Sequence, residues 1–400
     1  MTRLPDADAL LSTLRAIAVP TAPYHERRAL AAIRAELERA GVATRADAYG
    51  QVFASVRRGT ARPIVFVAHT DHPAFEVAEA SGTTGTVRVL GGFRGAMLDR
   101  PVGVRVYGDD GSGPVAAVLS GLEPAPDPVH NSPGRMRIDA EGPIAPGQWA
   151  VLDLPEVERA GEEIRMSAAD DLAGCALIVA ALAELARNEG PVDATGVFTR
   201  AEETGLYGAR LLVEDGLVDR DAIVVSVEAS RALPNAPAGG GPVVRAGDLH
   251  NTFTNDAERF LRVAAERLAG VGIVTQRALL TGGTCEASTF VVHGFATTAM
   301  ALPNVNYHNR GTDERPAPEI VRLDDLRAGV ALAAEAARAA AEDARERWWD
   351  TAGPVPTEIR TMLRGGGARI HPRHWRRSAG CLPTGRPRDP AAARYRPWTP

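Results

Sequence analysis

Eight residues constrain this chain most: Ile64-Val65-Phe66-Val67-Ala68-His69-Thr70-Asp71. A run of apolar, mostly β-branched residues stops abruptly at an imidazole and a carboxylate two positions apart. Such a run predicts a strand buried on both faces, which parallel α/β sheets provide. In open sheets of that kind the carboxyl ends of strands border the crevice where ligands and metals bind. A lone His-x-Asp is equally the mark of a core histidine. The reading therefore turns on whether later strands end the same way.

Residues 7–18 and 24–40 read as helices, the second ending before Gly41, and 42–56 alternates loosely like a hairpin. From about residue 77 to 163 the pattern changes. Short β-type runs such as Gly85–Leu90, Val102–Tyr107 and Val115–Leu119 are separated by Gly, Asp and Pro clusters, with no helical period. That punctuation predicts a small all-β barrel inserted into the α/β domain. After it the α/β rhythm resumes. Asp170-Asp171 opens a helix to Asn188, and a strand at 195–199 is followed by Glu202-Glu203 and a helix over 205–214. The apolar strand at 222–227 runs into Glu228. A helix over 256–268 and a strand over 272–279 lead to the loop Thr281-Gly282-Gly283-Thr284-Cys285-Glu286. The strand at 296–302 precedes Tyr307-His308, and a helix over 323–349 closes the folded part. The expected organisation is thus a discontinuous α/β catalytic domain, residues 1–76 and 164–349, with the β-barrel at 77–163 inserted.

The last fifty residues hold ten arginines against two acids, with many Pro and Gly, and residues 350–400 read as a disordered tail. All 45 basic residues are arginine, so the arginine count follows base composition and argues for no nucleic-acid partner. The N-terminus has no apolar signal-peptide core, and no run of about 20 apolar residues crosses a membrane, so a cytoplasmic location is expected. Cys175, Cys285 and Cys381 are too far apart for a disulfide framework.

The later strands do end the same way: His69 and Asp71, Asp170-Asp171, Glu202-Glu203, Glu228 and His308 are all placed on one rim of the sheet. Crowded carboxylates raise one another's pKa unless cations neutralise them. Histidine with carboxylate is the ligand mix of zinc, cobalt or manganese. The count points to two divalent ions. One carboxylate bridges, and each ion takes one imidazole and one further carboxylate. Two such ions about 3.5–4 Å apart acidify a shared water and clamp an attacked carbonyl. Neighbouring side chains after a strand diverge, so one of Glu202-Glu203 binds metal while the other serves as general base. Asp71 is placed to hydrogen-bond the imidazole of His69 and set its tautomer.

This order of ligands resembles the co-catalytic dinuclear metallopeptidases. The gap from Glu228 to His308 is only 80 residues, whereas His69 to Asp170 spans 101. An insertion at that point resembles the glutamyl-aminopeptidase (tetrahedral aminopeptidase) family and its larger relatives, the aspartyl aminopeptidases. The phrases Ala68-His69-Thr70-Asp71, Asp170-Asp171-Leu172-Ala173-Gly174, Glu202 to Ala209, Gly282-Gly283-Thr284 and Leu323-Asp324-Asp325-Leu326 carry the likeness over about residues 8–345. The resemblance implies a three-layer αβα zinc-exopeptidase-like domain and a homo-oligomer, dimer to dodecamer, assembled through the β-barrel. It implies two metal ions, zinc first, with His69, Asp170 and Glu228 on one and Asp170, Glu203 and His308 on the other. Glu202 would be the base and Asp71 its companion in catalysis. The choice of Asp170 over Asp171 as bridge rests on the family pattern alone.

The implied activity is removal of N-terminal residues from short peptides. A deacylase or amidohydrolase acting on N-acyl amino acids with the same site is the alternative, and an inactive metal-stabilised assembly module is the second. The chain departs from the family's usual phrases at His72-Pro73-Ala74, Leu172, Glu228 and Cys285-Glu286. Substrate contacts are therefore expected from His72 and from Gly282, Gly283 and Thr284.

Overall fold

The computed structural model describes residues 4–93, 95–108, 113–124, 134–345 and 354–364. The chain divides into two compact units, Met1–Glu346 and Arg347–Pro400.

Helices α1 (Ala7–Ile17) and α2 (Arg27–Arg39) precede β1 (Thr44–Ala46), β2 (Val52–Arg58) and β3 (Ile64–His69). Then come β4 (Ala74–Ser81), β5 (Thr84–Leu90), β6 (Val102–Tyr107), β7 (Val115–Pro124), β8 (Gly134–Ala140) and β9 (Trp149–Leu152). Strands β10 (Glu158–Ala160) and β11 (Glu163–Met166) lead into α3 (Ala169–Arg187), β12 (Val192–Thr199), α4 (Tyr207–Glu214), β13 (Ile223–Glu228) and β14 (Val243–Gly247). The unit closes with α5 (Asn255–Ala269), β15 (Gln276–Leu279), α6 (Glu286–Val292), β16 (Ala296–Ala301), β17 (Glu319–Arg322) and α7 (Leu323–Ala341).

The main sheet runs β1-β2-β12-β3-β13-β16-β14-β15, and its centre, β12-β3-β13-β16, is parallel. The strand that opened the sequence reading shows why three layers form. Ile64, Phe66 and Ala68 point into the core shared with α1, α2, α3, α5 and α7, while Val65 and Val67 point into the core shared with α4 and α6. A period-2 strand apolar on both faces needs helices on both. Helix α3 is apolar nearly all round because it packs on β3, β12 and β13 and against α1, α2 and α7.

Strands β4-β5-β8-β7-β6-β9 close into a barrel. Its core includes Phe75, Val77, Val87, Val89 and Val104, with outward residues between them along each strand. The barrel strands therefore span residues 74–152, not the expected 77–163. Strands β10 and β11, which the sequence places in the insertion, instead form a separate sheet with β17. Glu163–Met166 alternates like any barrel strand, and only pairing with Glu319–Arg322, over 150 residues away, reveals its partner. Strand β14 lies in a stretch that the sequence reading leaves without an element, and helix α7 stops at Ala341, short of Trp349. Within the tail, Thr357–Arg364 forms a helix (α8) with no buried residue, where composition predicts disorder; residues 365–400 lie outside the described residues. Among the described residues, no helix is long and apolar enough to cross a membrane.

Candidate metal centre

The parallel register brings the strand ends level. Thr199 lies beside His69, and Glu228 beside Ala301. His69 and Glu228 are the last residues of β3 and β13, the Glu202-Glu203 turn follows β12, and His308 sits in a single 3₁₀ turn after β16. Asp170 enters from the non-helical first turn of α3, where the Asp170–Asp171 peptide is cis.

Asp170 stands between the two imidazoles. His69 Nε2 is 3.3 Å from its Oδ1, and His308 Nε2 is 3.5 Å from its Oδ2. Glu228 Oε2 lies 3.8 Å from His69 Nε2, and Glu203 Oε1 lies 3.4 Å from His308 Nε2. Donor atoms of His69, Asp170 and Glu228 fall within 4.8 Å of one another, as do those of Asp170, Glu203 and His308. A third such group joins His69 with Glu202 and Glu203. Asp171 turns away, accepting the Gly174 amide at 3.2 Å.

The donor set fits divalent cations on a structural observation. Asp170 Oδ1, Glu203 Oε1 and His308 Nε2 are buried and make no hydrogen bond. Orphaned polar atoms of that kind are costly unless a ligand meets them. The electrostatics agree. Burial pushes Glu202, Glu203 and Asp171 well above the usual carboxylate range, with neighbouring acids adding to it. Burial also raises Glu228. Asp170 goes the other way: burial would raise it, but His308 and His69 outweigh that and hold it low. Burial opposes protonation of His69, yet Glu202, Asp170 and Asp71 hold its pKa well above the ordinary value. Too much negative charge faces too few cations.

Supports behind the donors are equally defined. His69 Nδ1 donates to the main-chain carbonyl of Asp71 at 3.1 Å, so the tautomer is set by backbone and not, as expected, by the Asp71 carboxylate, which lies 3.7 Å away. That carboxylate instead accepts the amides of Glu202 and Glu203, both at 3.0 Å, and so shapes the turn that carries them. His308 Nδ1 donates to Gly92 O at 3.0 Å, just past barrel strand β5. A Cβ on Gly92 would lie 3.0 Å from His308 Cε1, tighter than most side-chain contacts, so a larger residue there would have to push the ring aside. Glu319, fully buried, accepts the amides of both Asp170 (2.9 Å) and His308 (2.8 Å). Burial, with Asp170 nearby, lifts it to about 8.

His72, expected to contact substrate, is instead buried behind Asp170. It is 4% exposed and packed edge-on to His308, with Nδ1 facing the carbonyl oxygen of Asp170 and Nε2 facing Asn309 Oδ1 at 2.9 Å. Burial, then His308, lowers its pKa to about 4. It props Asp170 from behind and has no nitrogen left for substrate. Gly282, Gly283 and Thr284 do line the cleft beside Glu228, together with Arg245 and Tyr307, two residues the sequence reading passed over. Tyr307 stacks on His308 with ring centroids 3.9 Å apart. Arg245 is 2% exposed, its Nε has no hydrogen-bond partner, and its Nη1 reaches only Ser230 Oγ at 3.2 Å. The signal for it was present: a cation inside the apolar run Val243-Val244-Arg245-Ala246.

Residues 50–332 match the family described as M42 glutamyl aminopeptidase. No curated protein matches the chain. Among solved structures, an aminopeptidase from the archaeon Desulfurococcus kamchatkensis is 22% identical with a TM-score of 0.68, covering 88% of this chain and 99% of that one. The TET1 peptidase of Pyrococcus horikoshii, described as able to assemble into a tetrahedron or a large octahedral shell, is 22% identical with a TM-score of 0.66, covering 82% and 99%. An M18-family aminopeptidase from Thermotoga maritima is 16% identical with a TM-score of 0.58, covering 84% and 99%. At these identities the likeness establishes the shared fold.

Proposed function

From the premise that the chain belongs to the M42 glutamyl aminopeptidase family, we propose that it removes N-terminal residues from short peptides with the help of two divalent metal ions. One observation carries this reading: the Asp170 carboxylate presents one oxygen to each of two separate His-and-carboxylate groups. His69, Asp170 and Glu228 would hold one ion and Asp170, Glu203 and His308 the other. When bound, the ions acidify a water and polarise the peptide carbonyl. Glu202 takes the proton as water oxygen attacks that carbon, then passes it to the departing amine as the C–N bond breaks. Asp71 holds the turn that aims Glu202. An acid-rich rim suits a substrate with a free, protonated amine better than an N-acyl amino acid. A panel comparing free-amine peptides with N-acyl amino acids tests this, and preference for the acylated substrates would overturn it.

Arg245 supports a finer statement. Arg245 is buried with its Nε unpartnered and only the more distant carboxylates of Glu228 and Asp248 acting on its charge, which suits it to meet a further anion. It lines the cleft beside Glu228, so a substrate with an acidic N-terminal side chain would meet it. Arg245→Met is expected to lower kcat/KM about 10- to 100-fold for acidic N-terminal residues, the worth of a charged hydrogen bond, and to spare neutral ones. Equal losses on both would count against the assignment.

Homo-oligomer assembly through the barrel is part of the same reading. Native mass spectrometry is expected to show a dimer or larger, and a strict monomer would sink that part alone.

A further inference from the structure

We propose that Glu26, at the start of α2, is a positioning residue that holds Glu202 in its working geometry through the Arg200–Gly205 turn. The inference rests on the aminopeptidase reading above.

The turn closes on its own carbonyls at its far end, where the Gly205 and Leu206 amides donate to Glu202 O at 2.9 and 2.8 Å, but its head relies on groups from outside. Ala201 and Leu206 both have left-handed backbone, at φ 54° and 58°, which non-glycine residues rarely adopt unless their surroundings impose it. Three consecutive amides at its head, those of Ala201, Glu202 and Glu203, find no partner within the turn. Two buried carboxylates from elsewhere in the chain receive them. Asp71 Oδ1 and Oδ2 accept Glu202 and Glu203, and Glu26 Oε1 accepts Ala201 at 3.0 Å.

Glu26 does more than cap one amide. Its Oε2 pairs with Arg200 Nε at 2.7 Å, and its Oε1 also accepts the Tyr24 amide at 2.8 Å. Arg200 in turn donates to the carbonyls of Tyr49 (2.6 Å) and Tyr24 (2.9 Å). Tyr24, itself left-handed at φ 74°, returns to the turn by donating its hydroxyl to Thr204 Oγ1 at 3.0 Å. One carboxylate, wholly buried, thus ties the N-terminal segment to the two residues that precede Glu202. No atom of this latch lies among the candidate metal donors.

The test uses the full chain. Glu26→Ala is expected to lower kcat about 10- to 100-fold, the range for displacing a reacting group by about 1 Å, with KM and metal content unchanged. Glu26→Gln keeps the shape and one acceptor and should fall between. If Glu26 acts through Glu202, then adding Glu26→Ala to Glu202→Gln costs nothing further. Hydrogen exchange on the metal-free protein should show protection lost at residues 201–203 and kept in the rest of α2. Wild-type kcat in both Glu26 variants, multiplicative losses in the double variant, or unchanged exchange at 201–203 would each overturn the proposal. Should the wild-type chain itself hydrolyse no peptide, the aminopeptidase reading fails first, and the exchange experiment still decides whether Glu26 holds the turn.

Discussion

Glu202→Gln is expected to reduce turnover at least about 100-fold while leaving metal content and melting temperature close to those of the wild-type chain. The loss is the lower end of what a general base contributes, and corresponds to about 2.7 kcal/mol of barrier. Glutamine keeps the shape of the side chain but has no basic oxygen to take the proton from water. The metal should stay because the donor atoms of His69, Asp170, Glu228, Glu203 and His308 form both groups without Glu202. Glu202 lies in a turn whose amide is fixed by Asp71, so the substitution leaves the backbone where it was. Metal analysis alongside steady-state kinetics on aminoacyl-nitroanilides makes the measurement. Unchanged turnover with full metal content would remove Glu202 from the mechanism.

Chelation is expected to abolish hydrolysis and to make stability newly sensitive to pH. The activity loss follows because, without the ions, nothing acidifies the water that Glu202 is proposed to deprotonate or polarises the peptide carbonyl. The stability effect follows from burial. Desolvation raises Glu286 and Glu319 from the ordinary 4.5 to about 8, and raises Glu202, Glu203 and Asp171 as well. A carboxyl with a raised folded pKa lends its stability below its unfolded value and loses it as pH climbs through the folded one. Asp170 and His72 shift downward, so above pH 6.5 they no longer titrate. Between pH 6.5 and 8 the metal-free protein should therefore melt at steadily lower temperature, and added zinc should restore it most at the upper end. A chelated, metal-free protein that still cleaves aminoacyl-nitroanilides would end the metallopeptidase reading.

Much of this was readable in one dimension because the two relevant periodicities are local. The β3 run Ile64–Ala68 is apolar at every position, and such a run has nowhere to go but between two helical layers. The barrel announced itself by strand-turn-strand punctuation, since each of its hairpins closes on near neighbours. The candidate donor residues were visible because several apolar strands in succession end in His, Asp or Glu. Such residues need only arrive at one rim, and parallel register delivers them there.

The contacts that had to be seen are those in which direction matters. Nothing in Asp71-His72 tells which side chain faces the turn, which faces backward onto Asp170, and that a carbonyl rather than a carboxylate holds the His69 ring. Glu319 and Glu26 look like ordinary surface acids in sequence, yet both are wholly buried because they receive backbone amides from remote segments. Gly92, just past barrel strand β5, ends against His308, whose Nδ1 donates to its carbonyl from 216 residues away.

By itself, then, the sequence determined the layers, the inserted barrel and the residue types gathered at the strand ends, because hydrophobic period and chain order decide those. Tertiary structure alone decided which oxygen each nitrogen faces, which buried acids receive backbone amides, and that a buried arginine lines the cleft. The physical reason is that the burial of apolar residues follows a local period, whereas hydrogen-bond direction, and the burial of the acids that take part in it, depend on how side chains turn once the strands and loops have met.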